Sequence, residues 1–394
     1  MKRNLKGWMA PKRVSTSLPF FPGRSHIECQ PLGVVGVLAP WNYPYQLALI
    51  PAAQALAAGN RVILKPSEHA PNTSTLLKKI INQNFDESYF CVIEGDAPVG
   101  QTMASLPFDH LTFTGSTDVG RKIAMAAAPN LTPLTLELGG KSPVIFEEGL
   151  NFKTHGERVA FWKFLNAGQT CIAPDYVLVH EDDKEKLVQV LINTIDKFYP
   201  NGTLSNDYTS IINTRQIGRL KNLICDAKEK GARIIPMGKN TCEDLENEQK
   251  IAPTLVLDGT NDMEIMTNEI FGPLLPIVTY KNLEDAINYV NERPRPLALY
   301  YFGNNKETQK KVLSNTVSGG VTINDVTCHF AQDNLPFGGV GPSGMGSYHG
   351  EHGFKNYSHQ KGIFTQSKLN ILHLIYPPYG KTSEMIRKFM KNII

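Results

Sequence analysis

Along the first third of the chain, short apolar runs alternate with longer stretches whose apolar residues recur every three or four positions. Val34 to Leu38 (VVGVL) predicts a buried strand, and Pro44 to Ala58 predicts a helix rich in Ala and Leu, closed by Gly59-Asn60. Arg61 to Leu64 (RVIL) is the next strand, and Asn72-Thr73-Ser74 is placed to cap a helix reaching about Gln83. Tyr89 to Ile93 and His110 to Phe113 read as strands around a short helix from Val99 to Ser105. Thr117 to Ala128 then reads as a helix and Leu134 to Glu137 as a strand. Strands alternating with helices predict a parallel sheet covered on both faces. Sheets of this kind bind dinucleotides at the carboxyl ends of their strands.

The alternation restarts after Gly140. Val144 to Phe146, Tyr176 to Val179, Leu274 to Val278 and Leu299 to Phe302 predict strands. Val159 to Leu165, Lys184 to Phe198, Ile217 to Glu229 and Leu283 to Asn291 predict helices between them, which makes a second α/β unit. The last segment differs. Leu335 to Gly346 is a glycine-rich loop, Gly362 to Gln366 (GIFTQ) reads as an edge strand, and Met385 to Ile394 is a short basic helix on a solvated face.

The chain has 394 residues, 41% hydrophobic and 20% charged, which is globular composition and excludes disorder, collagen and coiled coil. A net charge of +3 is too balanced to imply a nucleic-acid partner. The most apolar stretch, Leu47 to Ala58, is broken by Pro51 and Gln54 and is too short to span a bilayer. The basic N-terminus lacks the apolar core of a secretory signal, so a cytoplasmic location is expected. Cysteines stand at 29, 91, 171, 225, 242 and 328 without a C-x-x-C pair, which predicts reduced, mostly buried thiols and no zinc site.

Thr114 to Gly120 (TGSTDVG) lies between a predicted strand and a predicted helix. It has the spacing of a dinucleotide loop, with Gly115 first, Gly120 last and Thr117 in place of the middle glycine. Gly140-Lys141-Ser142 is not a P-loop, because Thr135 stands where the first glycine belongs and a strand follows. Ser343 is no nucleophile elbow, because Met345 replaces the second glycine. His349 and His352 lack a third ligand nearby, so no metal is expected. Cys171 lies in NAGQTCIAPD, on a turn between Gly168 and Pro174 where local dipoles would favour a thiolate, although a cysteine alone is usually a small buried hydrophobe. Glu137 ends an apolar strand before Gly139-Gly140, and is either a loop ion pair or a general base; spacing does not decide.

Taken together, these residues resemble the aldehyde dehydrogenase superfamily over about Arg24 to Lys361. Pro40-Trp41-Asn42-Tyr43-Pro44, Lys65-Pro66-Ser67-Glu68, Phe113-Thr114-Gly115-Ser116 and Glu137-Leu138-Gly139-Gly140-Lys141 occur in family order. Gly168-Gln169-Thr170-Cys171, Glu269-Ile270-Phe271-Gly272-Pro273 and Leu335-Pro336-Phe337-Gly338-Gly339 complete the set. The forms QTCIAPDY and FGGVGPSGMGSYHG resemble the class 3-like branch, and within it the coniferyl aldehyde dehydrogenases.

The resemblance implies a Rossmann-like dinucleotide-binding domain over 1–138, which includes an arm strand near 24–31. It further implies a catalytic α/β domain over 139–335, then the glycine-rich loop, a small β oligomerisation arm and a tail over 336–394. It implies oxidation of an aldehyde, aromatic or medium-chain, to the acid. Cys171 would be the nucleophile, Glu137 the base that activates water, and Asn42 the oxyanion donor. Lys65 and Glu68 would meet the adenosine ribose, and Gly115, Ser116 and Gly120 the pyrophosphate. Glu269 and Phe271 would meet the nicotinamide end, and Trp41 would form a pocket wall. Glu68 would favour NAD over NADP by repelling a 2′-phosphate, with both cofactors used in this branch. His26 to Gln30 and Gly362 to Gln366 are similar to arm strands that pair between subunits, implying a homodimer. Family members carry a further helical stretch before the position of Leu5, so a remnant that only binds dinucleotide or a homologous subunit is the alternative expectation.

Overall fold

The computed structural model describes residues 1–239, 249–370 and 372–391. Cys242 and the end of the basic tail, 392–394, lie outside the described residues. The first strands are β1 (Lys12–Val14) and β2 (Arg24–Pro31). Then follow β3 (Val34–Leu38), β4 (Arg61–Lys65), β5 (Phe90–Val92), β6 (His110–Thr114) and β7 (Leu134–Glu137). The second unit holds β8 (Pro143–Phe146), β9 (Tyr176–His180), β10 (Arg233–Pro236), β11 (Thr254–Leu257), β12 (Leu274–Tyr280), β13 (Ala298–Phe302) and β14 (Gly320–Ile323). Two late strands, β15 (Gly344–Met345) and β16 (Ser358–Thr365), return to earlier sheets.

The first sheet has the order β15-β7-β6-β3-β4-β5, parallel apart from β15. From β3 the chain winds outward to β4 and β5, then crosses back to β6 and β7. The order therefore reverses between β3 and β6, and their carboxyl ends form the crevice where an open α/β sheet takes its ligand. β3 is apolar throughout, as a strand covered by helices on both faces must be, whereas β6 buries His110 and Thr112 on side-chain hydrogen bonds to Thr135 and Tyr357. The helix Gln46–Ala57 and the helix Pro71–Asn84 pack over Val35, Val37, Val62 and Leu64 on one side. Met103, Ile123 and Leu138 pack with Leu38 and Leu111 on the other.

The second sheet runs β10-β11-β12-β9-β8-β13-β14, parallel except for β10. Its inner strands β8, β9 and β13 are buried at every residue, as strands enclosed on both faces must be.

The third sheet, β1-β2-β16, forms the arm. The segments expected to pair between subunits pair with each other inside the chain, antiparallel from Ser358↔Pro31 to Thr365↔Arg24. Their register is longer than the sequence suggested, and Gln366 lies just beyond it. Asn60 ties this arm to the first sheet. Its Oδ1 accepts from the backbone N–H groups of Leu32 (2.7 Å) and Gly33 (2.9 Å). Its Nδ2 donates to the carbonyls of Ala55 (2.9 Å) and Tyr357 (2.8 Å). Phe354 and Tyr357, from the far end of the chain, complete the core against which Ala52 and Leu64 pack.

Several expectations need correction. Asn72-Thr73-Ser74 do not cap their helix. The cap position is Ala70, with Pro71 opening the first turn, and the Ser74 hydroxyl donates to the carbonyls of Ser67 and Ala70 instead. The helix before Cys171 begins at Phe152, capped by Asn151. The strands β1, β10, β11, β14 and β15 were not predicted, nor was the helix Lys306–Asn315. They are short or amphipathic and carry little periodic signal.

Asn60→Ala leaves three backbone groups, at Leu32, Gly33 and Tyr357, without their partner, while the Ala55 carbonyl keeps the backbone N–H of residue 60. It is expected to lower the unfolding free energy by about 3 kcal/mol in urea titration, with no change of m-value.

Candidate active site

After the helix Phe152–Phe164 the chain reverses through three successive left-handed residues, Asn166 (φ 52°), Ala167 (φ 51°) and Gly168 (φ 74°). Gly168 also approaches another backbone, since a Cβ there would lie 2.2 Å from the Gly272 carbonyl oxygen. The reversal is held by buried Gln169. Its Nε2 donates to the Asn166 carbonyl (3.0 Å) and the Ser210 carbonyl (3.2 Å), and its Oε1 accepts from Ile212 N–H (2.9 Å). From the first sheet, the loop after β3 clamps the same turn. Asn42 Nδ2 donates to the Gln169 carbonyl (3.0 Å), and Asn166 Nδ2 donates to the Asn42 carbonyl (3.1 Å). The Tyr43 hydroxyl bonds Thr170 Oγ1 at 2.8 Å.

Cys171 ends this turn, half-buried. Burial pushes its thiol well up, and the nearby carboxylates of Glu137 and Glu269 push it further. The backbone N–H groups of Cys171 and Ile172 favour the thiolate but do not prevail. The local dipoles thus act in the expected direction, and burial with the two carboxylates outweighs them.

Glu137 sits at the carboxyl end of β7, 2% exposed, and its Oε1 has no hydrogen-bond partner. Burial raises its carboxyl well above the usual range. Among the described residues it makes no ion pair, so the loop ion pair, one of the two readings left open by the sequence, is not what is seen. Glu269 lies across the site. Its carboxylate presses on Gly139, where a Cβ would come within 2.0 Å of Oε2, and it accepts from Gly140 N–H. Burial and Asp175 raise its pKa to about 8 against the opposing Gly140, Lys141 and Arg219. Phe271 adopts φ 46° and sets its ring edge-on to Trp41 at 5.4 Å. Loops from both sheets thus bring Trp41, Asn42, Glu137, Cys171, Glu269 and Phe271 together.

Two residues outside the expected set organise this meeting. Lys141 and Asp175 form a buried ion pair. The Lys141 ammonium also donates to the carbonyls of Ile265 (2.8 Å) and Asn268 (3.0 Å). Asp175 Oδ1 accepts from Ile270 N–H (2.9 Å), and Asp175 N–H donates to the Ser142 carbonyl (2.8 Å). Lys163 is buried close by, its pKa lowered to about 8 by burial against the pull of Asp175. A lysine rejected as a P-loop residue and an aspartate four places after the cysteine left only faint signals.

The remaining expected residues line the carboxyl edge of the first sheet. Lys65 closes β4 and bonds Glu68 at 2.8 Å. Partial burial works against the Glu68 charge, but the Lys65 hydrogen bond holds its carboxyl below the usual value. Gly115 N–H donates to the Glu137 carbonyl at 3.0 Å. Ser116 caps the helix Thr117–Ala127, accepting from Val119 N–H. Gly120 is pressed on Leu138, where a Cβ would lie 2.6 Å from Cδ2, as the last glycine of such a loop requires. A dinucleotide fits this edge. Free N–H groups at a helix start suit a pyrophosphate, and the acidic residue after β4 suits ribose hydroxyls. Ser343, by contrast, is spent on its own turn: its hydroxyl donates to the Val340 carbonyl and accepts from Val340 N–H. Among the described residues no cluster of three His, Cys, Asp or Glu is arranged for a metal, and no helix is long and apolar enough to cross a membrane.

A doubly wound sheet with its loop glycines, together with a second sheet that presents a thiol near a buried carboxylate, is the arrangement of a dinucleotide-dependent oxidoreductase. The sequence profile of the aldehyde dehydrogenase family matches residues 11–363. A probable coniferyl aldehyde dehydrogenase of Pseudomonas aeruginosa is 51% identical, covering 98% of this chain and 80% of its own length. The 4,4'-diaponeurosporen-aldehyde dehydrogenase of Staphylococcus aureus is 45% identical, covering 99% of this chain and 84% of its own. The substrate-bound structure of Staphylococcus aureus AldH superposes with a TM-score of 0.93 at 44% identity, covering 99% and 84% of the two chains. An NAD+ complex of a Mycobacterium tuberculosis aldehyde dehydrogenase gives 0.81 at 30% identity, covering 92% and 74%. The chain belongs to the aldehyde dehydrogenase family, and its reaction is the NAD(P)-dependent oxidation of aldehydes to acids.

Asp175→Ala strands the Lys141 ammonium in the interior. It is expected to cost about 3–5 kcal/mol of stability, read by equilibrium denaturation, and to abolish turnover even where the chain remains folded.

Proposed function

We propose that the chain oxidises apolar aldehydes, aromatic ones such as coniferyl aldehyde or medium-chain ones, with Cys171 as nucleophile, Glu137 as base and Asn42 as oxyanion donor. The observation that carries this reading is the clamped turn. One hydrogen of the Asn42 amide is given to the Gln169 carbonyl, two residues before Cys171, which leaves the second for a substrate oxygen.

The Cys171 sulfur adds to the aldehyde carbonyl, and the thiol proton passes to the buried carboxylate or to water. The oxyanion of the thiohemiacetal takes the second Asn42 N–H and the Cys171 N–H, each donor being worth about 3–4 kcal/mol. Hydride acceptance is the chemistry a bound dinucleotide would supply, and loss of the hydride from the thiohemiacetal carbon would leave a thioester on Cys171. Glu137 removes a proton from water, the water oxygen attacks the thioester carbon, and the carbon–sulfur bond breaks to free the acid and Cys171. An unpartnered carboxyl with a raised pKa suits a group that must take up and return a proton within each turnover.

Trp41, Lys65, Glu68, Gly115, Ser116, Gly120, Glu269 and Phe271 hold the dinucleotide in this reading. Glu68, charged at neutral pH, sits where a 2′-phosphate would be repelled, so NAD is preferred and NADP is the weaker cofactor. The relatives named for coniferyl aldehyde support an aromatic substrate. Residues 1–138 serve dinucleotide binding, 139–335 catalysis, and the arm assembly. The outer edge of β16 carries exposed Phe364 and suits a homodimer. A cytoplasmic location fits the reduced thiols. A remnant that only binds dinucleotide is not favoured, since every residue the chemistry needs is present and gathered.

The first test is NADH formation with a panel of aldehydes that includes coniferyl aldehyde. Cys171→Ala is expected to lose turnover by at least a thousandfold while its NAD affinity stays within twofold of the parent. Retained oxidation in that variant would sink the assignment. A second expectation concerns pH. Glu269 accepts ribose hydroxyls best when ionised, and its carboxyl holds its proton up to about 8. NAD should therefore bind several-fold more tightly as pH rises from 6.5 to 9, as read by fluorescence titration, and Glu269→Gln should flatten the dependence.

A further inference from the structure

Tyr348 lies two residues past Gly346, where the glycine-rich loop leaves the edge of β7. It is 2% exposed, and its backbone is fixed by a pair of hydrogen bonds with Phe337, Phe337 N–H to Tyr348 O at 2.9 Å and Tyr348 N–H to Phe337 O at 2.8 Å. Its ring is wedged edge-on between Phe337 (5.7 Å) and His349 (4.8 Å) in the core cluster on which Cys171 packs. The same loop fixes Glu137, for Gly344 stands opposite it in the register and Leu138 N–H donates to the Ser343 carbonyl at 3.0 Å. One short segment therefore sets the position of both side chains.

Buried tyrosines next to this site find partners for their hydroxyls. Tyr300 donates to the Ile172 carbonyl at 2.5 Å, and Tyr357 bonds Thr112 Oγ1 at 2.8 Å. No described residue bonds the Tyr348 hydroxyl. Both Glu137 and Cys171 lie close enough to act on it electrostatically, and together with burial they hold the phenol in its neutral form. Glu137 Oε1 likewise has no partner. The Tyr348 hydroxyl and Glu137 Oε1 are thus two unpartnered polar groups near the reactive sulfur. The Glu137 oxygen is costly to bury unless something polar reaches it during the reaction.

We propose that the Tyr348 hydroxyl, together with the Glu137 carboxylate, positions the water that hydrolyses the Cys171 thioester. The inference rests on Cys171 as nucleophile and Glu137 as base. Glu137 takes one hydrogen of the water, and the phenol oxygen accepts a hydrogen bond from the other. The lone pair of the water is then turned toward the thioester carbon. The phenol proton stays in place, so Tyr348 is a positioning residue. Acylation makes no use of the phenol, because the thiol proton goes to Glu137 or to solvent and the hydride leaves with no hydrolytic water in place.

The test is Tyr348→Phe, which removes an unpartnered hydroxyl and leaves the ring packing intact. Steady-state turnover should fall at least tenfold. Rapid mixing should then reveal a burst of about one NADH per site, and intact-protein mass should show the acyl adduct on Cys171. Turnover within twofold of the parent would overturn the proposal. So would slow turnover with neither burst nor adduct, because the loss would then precede the thioester. If the phenylalanine variant does not fold, Tyr348→His is read by the same burst and mass. A parent chain that oxidises no aldehyde, or a Cys171→Ala variant that still does, would sink the underlying assignment instead. An active parent with an unaffected Tyr348→Phe would sink this inference alone.

Discussion

The buried pair of Lys141 and Asp175 is the contact through which the two sheets agree on where the site lies. Lys141 belongs to the link between β7 and β8, Asp175 opens β9, and their further bonds reach the backbone at Ile265, Asn268 and Ile270. A charge pair at this depth gains little net stability over an apolar one. Its value is directional. Every donor and acceptor around it is used, so the links carrying Glu137, Cys171 and Glu269 hold one relative arrangement. The clamp of Asn42 on Gln169 works from the opposite side and depends on that arrangement being in place.

Burial governs the titration of this site. It raises the pKa of the Cys171 thiol and of the Glu137 carboxyl, and Glu269 titrates near 8. The carboxylates of Glu137 and Glu269 also act on Cys171, so charge on either makes the thiolate harder to form. The same burial that silences these groups makes each proton transfer large in effect, because little solvent screens it. A site of this kind is poised by what enters it.

Much of this was legible from residues alone. The β3–β7 alternation, the Gly115–Gly120 loop and the block around Cys171 are local patterns, each tied to a turn or a close approach that only certain residues permit. Gly168 illustrates the point: its left-handed φ and the nearness of Gly272 make the block Gly-Gln-Thr-Cys a geometric statement. What stayed hidden was non-local. The short strands β10, β11 and β14 gain their hydrogen bonds from neighbours far along the chain. The raised pKa of the Cys171 thiol follows first from burial and then from two carboxylates that sequence spacing does not place beside it. The cap at Ala70 in place of Asn72-Thr73-Ser74 shows the same limit at small scale, because Pro71 fixed the first turn before any side chain could compete.

The first sheet is not made by a continuous piece of chain. Its outer strand is Gly344–Met345, and its core is closed by Phe354 and Tyr357, while the whole second sheet is spelled out in between. A nascent chain emerging from the ribosome therefore carries an unfinished dinucleotide sheet, with β7 an open edge and part of one core uncovered, until some two hundred further residues have been made. The second unit waits almost as long, since Phe337 and Tyr348 fill its core, so both halves of the site close only when the last sixth of the chain has been made.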